Sequence, residues 1–68
     1  MDNVQITVRL DAHKVKLSIP RGNEQKCRDA AVLVNHRYQY YKRNYPSASS
    51  EQLWMYTAMD VATRVYNY

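Results

Sequence analysis

The sequence predicts a small α+β domain: an antiparallel β-hairpin followed by two helices, in the order β-β-α-α. Two stretches near the N-terminus alternate apolar and polar residues with a period of two, as half-buried strands do. Two later stretches repeat apolar residues at three- and four-residue steps, as amphipathic helices do. With 68 residues the chain has room for one domain, expected to cover 1–68.

The first strand is expected over 4–10, where Val4, Ile6, Val8 and Leu10 alternate with Gln5, Thr7 and Arg9. The second is expected over 14–19, where Val15, Leu17 and Ile19 alternate with Lys14, Lys16 and Ser18. Asp11-Ala12-His13 between them suits a tight reversal. The hairpin thus has one apolar face and one basic, polar face. Pro20-Arg21-Gly22 ends the second strand, because proline adds no donor to the ladder and glycine favours a turn.

The first helix is expected over 23–44. Asn23 is its candidate cap, with Glu24 in the first turn. Cys27, Ala30, Ala31, Val34, Tyr38 and Tyr41 form its apolar stripe, flanked by Leu33 and Tyr40. Tyr45-Pro46-Ser47-Ala48-Ser49-Ser50 breaks the pattern, since Pro46 drives Tyr45 out of helical geometry. Ser49 with Gln52 matches a capping box, and Ser50 is the rival cap. The second helix is expected over 50–67, with Leu53, Met55 or Tyr56, Ala58, Val61, Ala62 and Val65 as its cleanest apolar line. Trp54, Met55, Met59 and Tyr66 fall on other parts of its circumference, so this helix needs cover on more than one side.

Composition narrows the function. Ten Lys and Arg against six Asp and Glu give a formal charge of +4, which suits an acidic partner. The cations are scattered, so a nucleic-acid partner is not expected, although Arg37, Lys42 and Arg43 lie among Tyr38, Tyr40 and Tyr41. No apolar run is long enough to span a membrane, so no direct membrane insertion is expected. Met1-Asp2-Asn3 lacks the start of a signal peptide, and a lone thiol suits the reducing cytosol.

Catalytic, cofactor and metal sites are not expected. Cys27 and His36 are nine residues apart in one helix, which turns them about 180° from each other. His13 lies in the reversal, and Asp29 and Asp60 have no second acid at i+4. One cysteine and two separated histidines are too few for an ordinary zinc site, and Gly22 is the single glycine, which leaves no phosphate loop.

Ala30 and Ala31, then Val34-Asn35-x-Arg37, then Ser50-Glu51-x-Leu53 with Ala58, all behind a hairpin, resemble the N-terminal head domain of the ZapA family. Ala12, His13, Thr57 and Asp60 depart from that pattern, where glycine, a basic residue, alanine and asparagine are usual. The resemblance implies a non-enzymatic, cytoplasmic factor at the division site. It would bind FtsZ and cross-link or stabilise its filaments in the Z ring as a homodimer or homotetramer. It further implies that the second helix leads into a coiled coil, expected to be truncated here. The expected FtsZ-binding residues are Arg9, His13, Lys14 and Lys16 on the hairpin, with Arg37 and Lys42 on the first helix as the fallback surface. The expected self-association surface is Leu53, Trp54, Met55, Met59, Val61, Val65 and Tyr66. Two other classes stay open: a general interaction or oligomerisation domain without an FtsZ partner, and a small nucleic-acid-binding adaptor.

Overall fold

The computed structural model describes residues 2–66. Its elements are β1 (Asn3–Leu10), β2 (His13–Pro20), α1 (Glu24–Asn44) and α2 (Ser50–Val65), the predicted β-β-α-α order. They fall into two compact units, Met1–Val32 and Leu33–Tyr68, with the division inside α1.

In the first unit β1 and β2 pair antiparallel, from Asn3 opposite Pro20 to Leu10 opposite His13. Each strand is slightly longer than the alternation predicted. Proline is tolerated at the last position of β2, and the ladder gains one more bond beyond it, from the Arg21 N–H to the Asp2 carbonyl at 2.8 Å. Asp11 opens the two-residue reversal at φ 58°, a left-handed conformation that aspartate adopts more readily than most residues. Ile6 and Val8 are buried, whereas Val15, Leu17 and Ile19 of β2 are half-buried. Gly22, at φ 97°, turns the chain into α1, and its N–H donates to Glu24 Oε1 at 2.9 Å. The Asn23 carbonyl then accepts from the Cys27 N–H at 2.9 Å, as the residue before a helix does. Cys27 and Ala31 are half-buried, but Ala30, expected in the same stripe, is exposed.

The second unit holds the rest of α1, the loop through Pro46, and α2. Ser49 caps α2 as a full capping box: its hydroxyl accepts from the Gln52 N–H at 3.2 Å, and Gln52 Oε1 accepts from the Ser49 N–H at 3.0 Å. That resolves the rivalry with Ser50. Tyr38, Leu53 and Thr57 are buried here, and Trp54 stacks on Tyr38 with ring centroids 3.9 Å apart.

The inward face of α2 differs from the predicted line. Leu53 and Thr57 are buried, and Trp54, Asp60 and Val61 are half-buried, while Met55, Ala58, Ala62 and Val65 are exposed. Thr57 can face inward at 1 % exposure because its hydroxyl donates to the Leu53 carbonyl at 2.8 Å. The expected end of this helix at 67 lies outside the described residues; within them α2 closes at Val65, and the Tyr66 N–H donates to the Thr63 carbonyl at 3.0 Å.

Candidate partner-binding surfaces

The first surface is the polar face of the hairpin. Alternation puts Arg9, Lys14 and Lys16 on one face, together with Thr7. All four are exposed. Arg9 is directly opposite Lys14, and Thr7 opposite Lys16. A two-residue reversal is closed by a hydrogen-bonded pair, here Leu10 and His13, so Arg9 and Lys14 form the next, non-hydrogen-bonded pair. Such pairs bring Cα atoms to about 4.5 Å and hold side chains close, so two like charges are brought near each other. His13 does not join them. Its register with Leu10 puts it on the side of Val15 and Leu17, a correction that follows from counting by twos from the reversal.

The second surface is built around Asp60 on α2. Its Oδ2 accepts from Arg37 Nε at 3.0 Å and from the Tyr41 hydroxyl at 2.7 Å. Its Oδ1 accepts from Arg64 Nε at 2.9 Å. Arg37 and Tyr41 are four apart on α1, as are Asp60 and Arg64 on α2, so helical spacing delivers all four side chains to one place. The Asp60 side chain is only 11 % exposed and Arg37 22 %, against 50 % for Arg64. The Tyr41 hydroxyl bond, with the two guanidinium bonds, outweighs partial burial and lowers the Asp60 carboxyl from 3.8 to about 2. The same carboxylate raises both Arg37 and Tyr41 above their ordinary values. Arg37 also lies over the Tyr40 ring, 4.4 Å from its centroid.

Arg37 was expected as an exposed partner-binding cation. Its half-buried side chain is instead committed to Asp60, while Lys42 remains exposed. The aromatic-basic segment that invited a nucleic-acid reading is divided in the same way, with Tyr38 in the interior and Tyr41 bound to Asp60.

Beside Asp60 an open groove of about 660 Å³ is lined by Tyr41, Tyr45, Tyr56, Met59, Thr63 and Arg64. Tyr45 and Tyr56 have ring centroids 5.4 Å apart, and Tyr41 lies 6.2 and 5.7 Å from them. The sequence offered only a weak signal for this cluster: Asp60 stands one helical turn before Arg64, Tyr41 and Tyr56 read as parts of apolar stripes, and Tyr45 read as part of the break between the helices.

Of the residues expected at a self-association surface, Leu53 is buried and Trp54 is half-buried against Tyr38, so these two serve the interior of the unit. Val61 is half-buried, and Met55, Met59, Val65 and Tyr66 are exposed.

Among the described residues no group of three or more His, Cys, Asp or Glu could hold a metal ion. Nor is any helix among them long and apolar enough to cross a membrane. No curated protein and no solved structure matches the chain. A family model does match, over residues 6–67, and it is described as "Cell division protein ZapA". The match runs through the hairpin and both helices, and the chain therefore belongs to the ZapA family of non-enzymatic, FtsZ-related cell-division proteins.

Proposed function

We propose that this protein binds FtsZ directly and bridges or stabilises its filaments in the Z ring, acting in the cytoplasm at the division site as a homodimer or homotetramer. The hairpin supplies the filament contact. The observation that carries this reading is the placement of Arg9, Lys14 and Lys16 on one exposed face, with Arg9 opposite Lys14. A like-charged cross-strand pair weakens a hairpin, so a partner that benefits from the charge gives it a purpose. An acidic filament surface would be that partner, and salt would weaken the contact. Lys42 on α1 is the fallback contact, independent of the hairpin face.

Self-association uses the exposed side of α2, through Met55, Met59, Val65 and Tyr66, with the half-buried Val61 at its margin. Two or more heads held together make the second filament contact intramolecular, which raises the effective affinity without any new contact.

The direct test is Lys14→Glu combined with Lys16→Glu, measured by co-sedimentation with assembled FtsZ at low and moderate salt. The variant must keep the wild-type circular dichroism and oligomeric state. Binding and bundling fall, most at low salt. Unchanged binding at both salt levels removes the hairpin face from the contact. For the assembly, sedimentation equilibrium of the wild-type chain shows a dimer or larger species, and Met59→Lys shifts it toward monomer. A strictly monomeric wild-type chain at high concentration defeats the bridging mechanism.

A further inference from the structure

The tyrosine-lined groove beside Asp60 has a different charge logic from the hairpin face and lies in the other unit. We propose that it is a docking site for an acidic segment of a protein partner, seating an apolar side chain on Tyr45 and Tyr56 and a carboxylate on the free edge of the Arg64 guanidinium.

The occupant follows from how Asp60 is used. Tyrosine faces grouped around an acid make a cage for cations when the acid is available. Here it is not available. Asp60 accepts from Arg37, Tyr41 and Arg64, so its one carboxylate is shared by two guanidiniums, of which that of Arg64 lines the groove. An added cation would meet that excess positive charge, and an added carboxylate would be attracted by it.

The donors are also in place. Arg64 gives only its Nε to Asp60 and is half exposed, so among the described residues its terminal Nη groups are left for an incoming acid. The bond to Asp60 fixes the plane of the fork before any ligand arrives. Less side-chain freedom is then lost on binding, and a planar guanidinium presents parallel donors to a carboxylate. Tyr45 and Tyr56 are 50 % and 39 % exposed, rigid, and amphipathic, which is the character of an anchoring surface. At about 660 Å³ the groove is large enough to seat a side chain. This inference does not depend on FtsZ being the filament partner or on the hairpin contact.

The test uses the full chain and three labelled peptides of equal length, alternating leucine with glutamate, glutamine or lysine. Fluorescence anisotropy measures binding, and amide chemical shifts locate it. The leucine–glutamate peptide binds and shifts resonances of Tyr45, Tyr56 and Arg64, while the glutamine and lysine peptides bind at least roughly tenfold more weakly. Arg64→Gln removes roughly that tenfold, Arg64→Lys recovers part of it, and Lys26→Gln, which removes the same charge from α1 elsewhere, has little effect. Tyr45→Ser, a loop change that leaves both helices intact, weakens binding independently of any effect on Arg64. Equal binding of the glutamate and glutamine peptides overturns the proposal. So does preferential binding of the lysine peptide, an equal loss in Lys26→Gln and Arg64→Gln, or shifts confined to Lys14 and Lys16. Loss of FtsZ co-sedimentation in the Lys14→Glu/Lys16→Glu chain with peptide binding retained separates this site from the hairpin contact.

Discussion

In the hairpin unit the strands are tied by main-chain pairing from Asn3–Pro20 to Leu10–His13, and side chains act as two separate faces, one apolar and one basic. In the helical unit each backbone satisfies itself within its own helix, so what joins the end of α1 to α2 is side-chain chemistry: the Tyr38–Trp54 stack, the burial of Leu53 and Thr57, and the donors converging on Asp60. A ladder tolerates substitution on its exposed face because the bonds holding it are not made by that face. A helix pair has no such reserve. The hairpin can therefore carry two cations opposite each other, whereas in the helical unit Arg37 and Arg64 are hydrogen-bonded to the Asp60 carboxylate.

The comparison breaks most severely at Leu53. Leu53→Ala leaves a void beneath α2 and costs about 2–4 kcal/mol. For a chain of this size that is a large share of the total stability, on the order of 3–10 kcal/mol. Urea unfolding followed by circular dichroism measures it. A loss no greater than that of an exposed change such as Met55→Ala would mean that Leu53 is not the keystone described here.

Asp60→Asn gives the next largest effect. It removes the charge that Arg37 and Arg64 share and leaves the guanidiniums facing each other across a neutral amide. Tm falls, by less than in Leu53→Ala because Arg64 is half in water and screened. The pH dependence identifies the cause. The folded carboxyl titrates at about 2 against an ordinary 3.8, so its contribution is fully present above the unfolded value and is lost as pH falls from 3.8 toward 2. Wild-type stability should decline through that window, and the decline should be shallower in Asp60→Asn. Parallel curves would show that other carboxyls set the acid response.

These two residues also mark where the sequence was readable. The strands and faces of the hairpin were legible, because a period of two separates the faces, but the reversal was read one residue too long, which left His13 outside β2. The cap of α2 was legible because Ser49 and Gln52 form a local motif that needs nothing distant. The inner face of α2 was not. Sorting residues by hydropathy excludes threonine and aspartate from an interior, yet Thr57 is acceptable there by bonding to the preceding turn, and Asp60 by three donors, two of them from another helix. The Tyr38–Trp54 stack was missed for the complementary reason: a large ring with no partner in its own helix gave no hint that Tyr38 was within reach. Long-range pairing of this kind leaves no periodic trace.

The smallest predicted effect has the opposite sign. Arg9 and Lys14 face each other in a non-hydrogen-bonded pair, so Lys14→Glu replaces a repulsion with an attraction across the ladder. Neither register nor burial changes, because position 14 is on the exposed face and the ladder is made by the backbone. The hairpin unit should become more stable by about 0.2–1 kcal/mol at low ionic strength. The gain should shrink as salt is added, since exposed charges are screened over about 10 Å at 0.1 M. The urea midpoint should rise with an unchanged m-value, which separates a change in stability from a change in the unfolded chain. Lys16→Glu is the internal control, because Lys16 faces Thr7 and has no cation opposite it to relieve. If the two single variants stabilise equally, the gain comes from lowering the net charge of +4 and not from the pair. If Lys14→Glu alone stabilises the fold while also weakening filament binding, the basic pair is held against the interest of the fold, and the filament contact accounts for its presence.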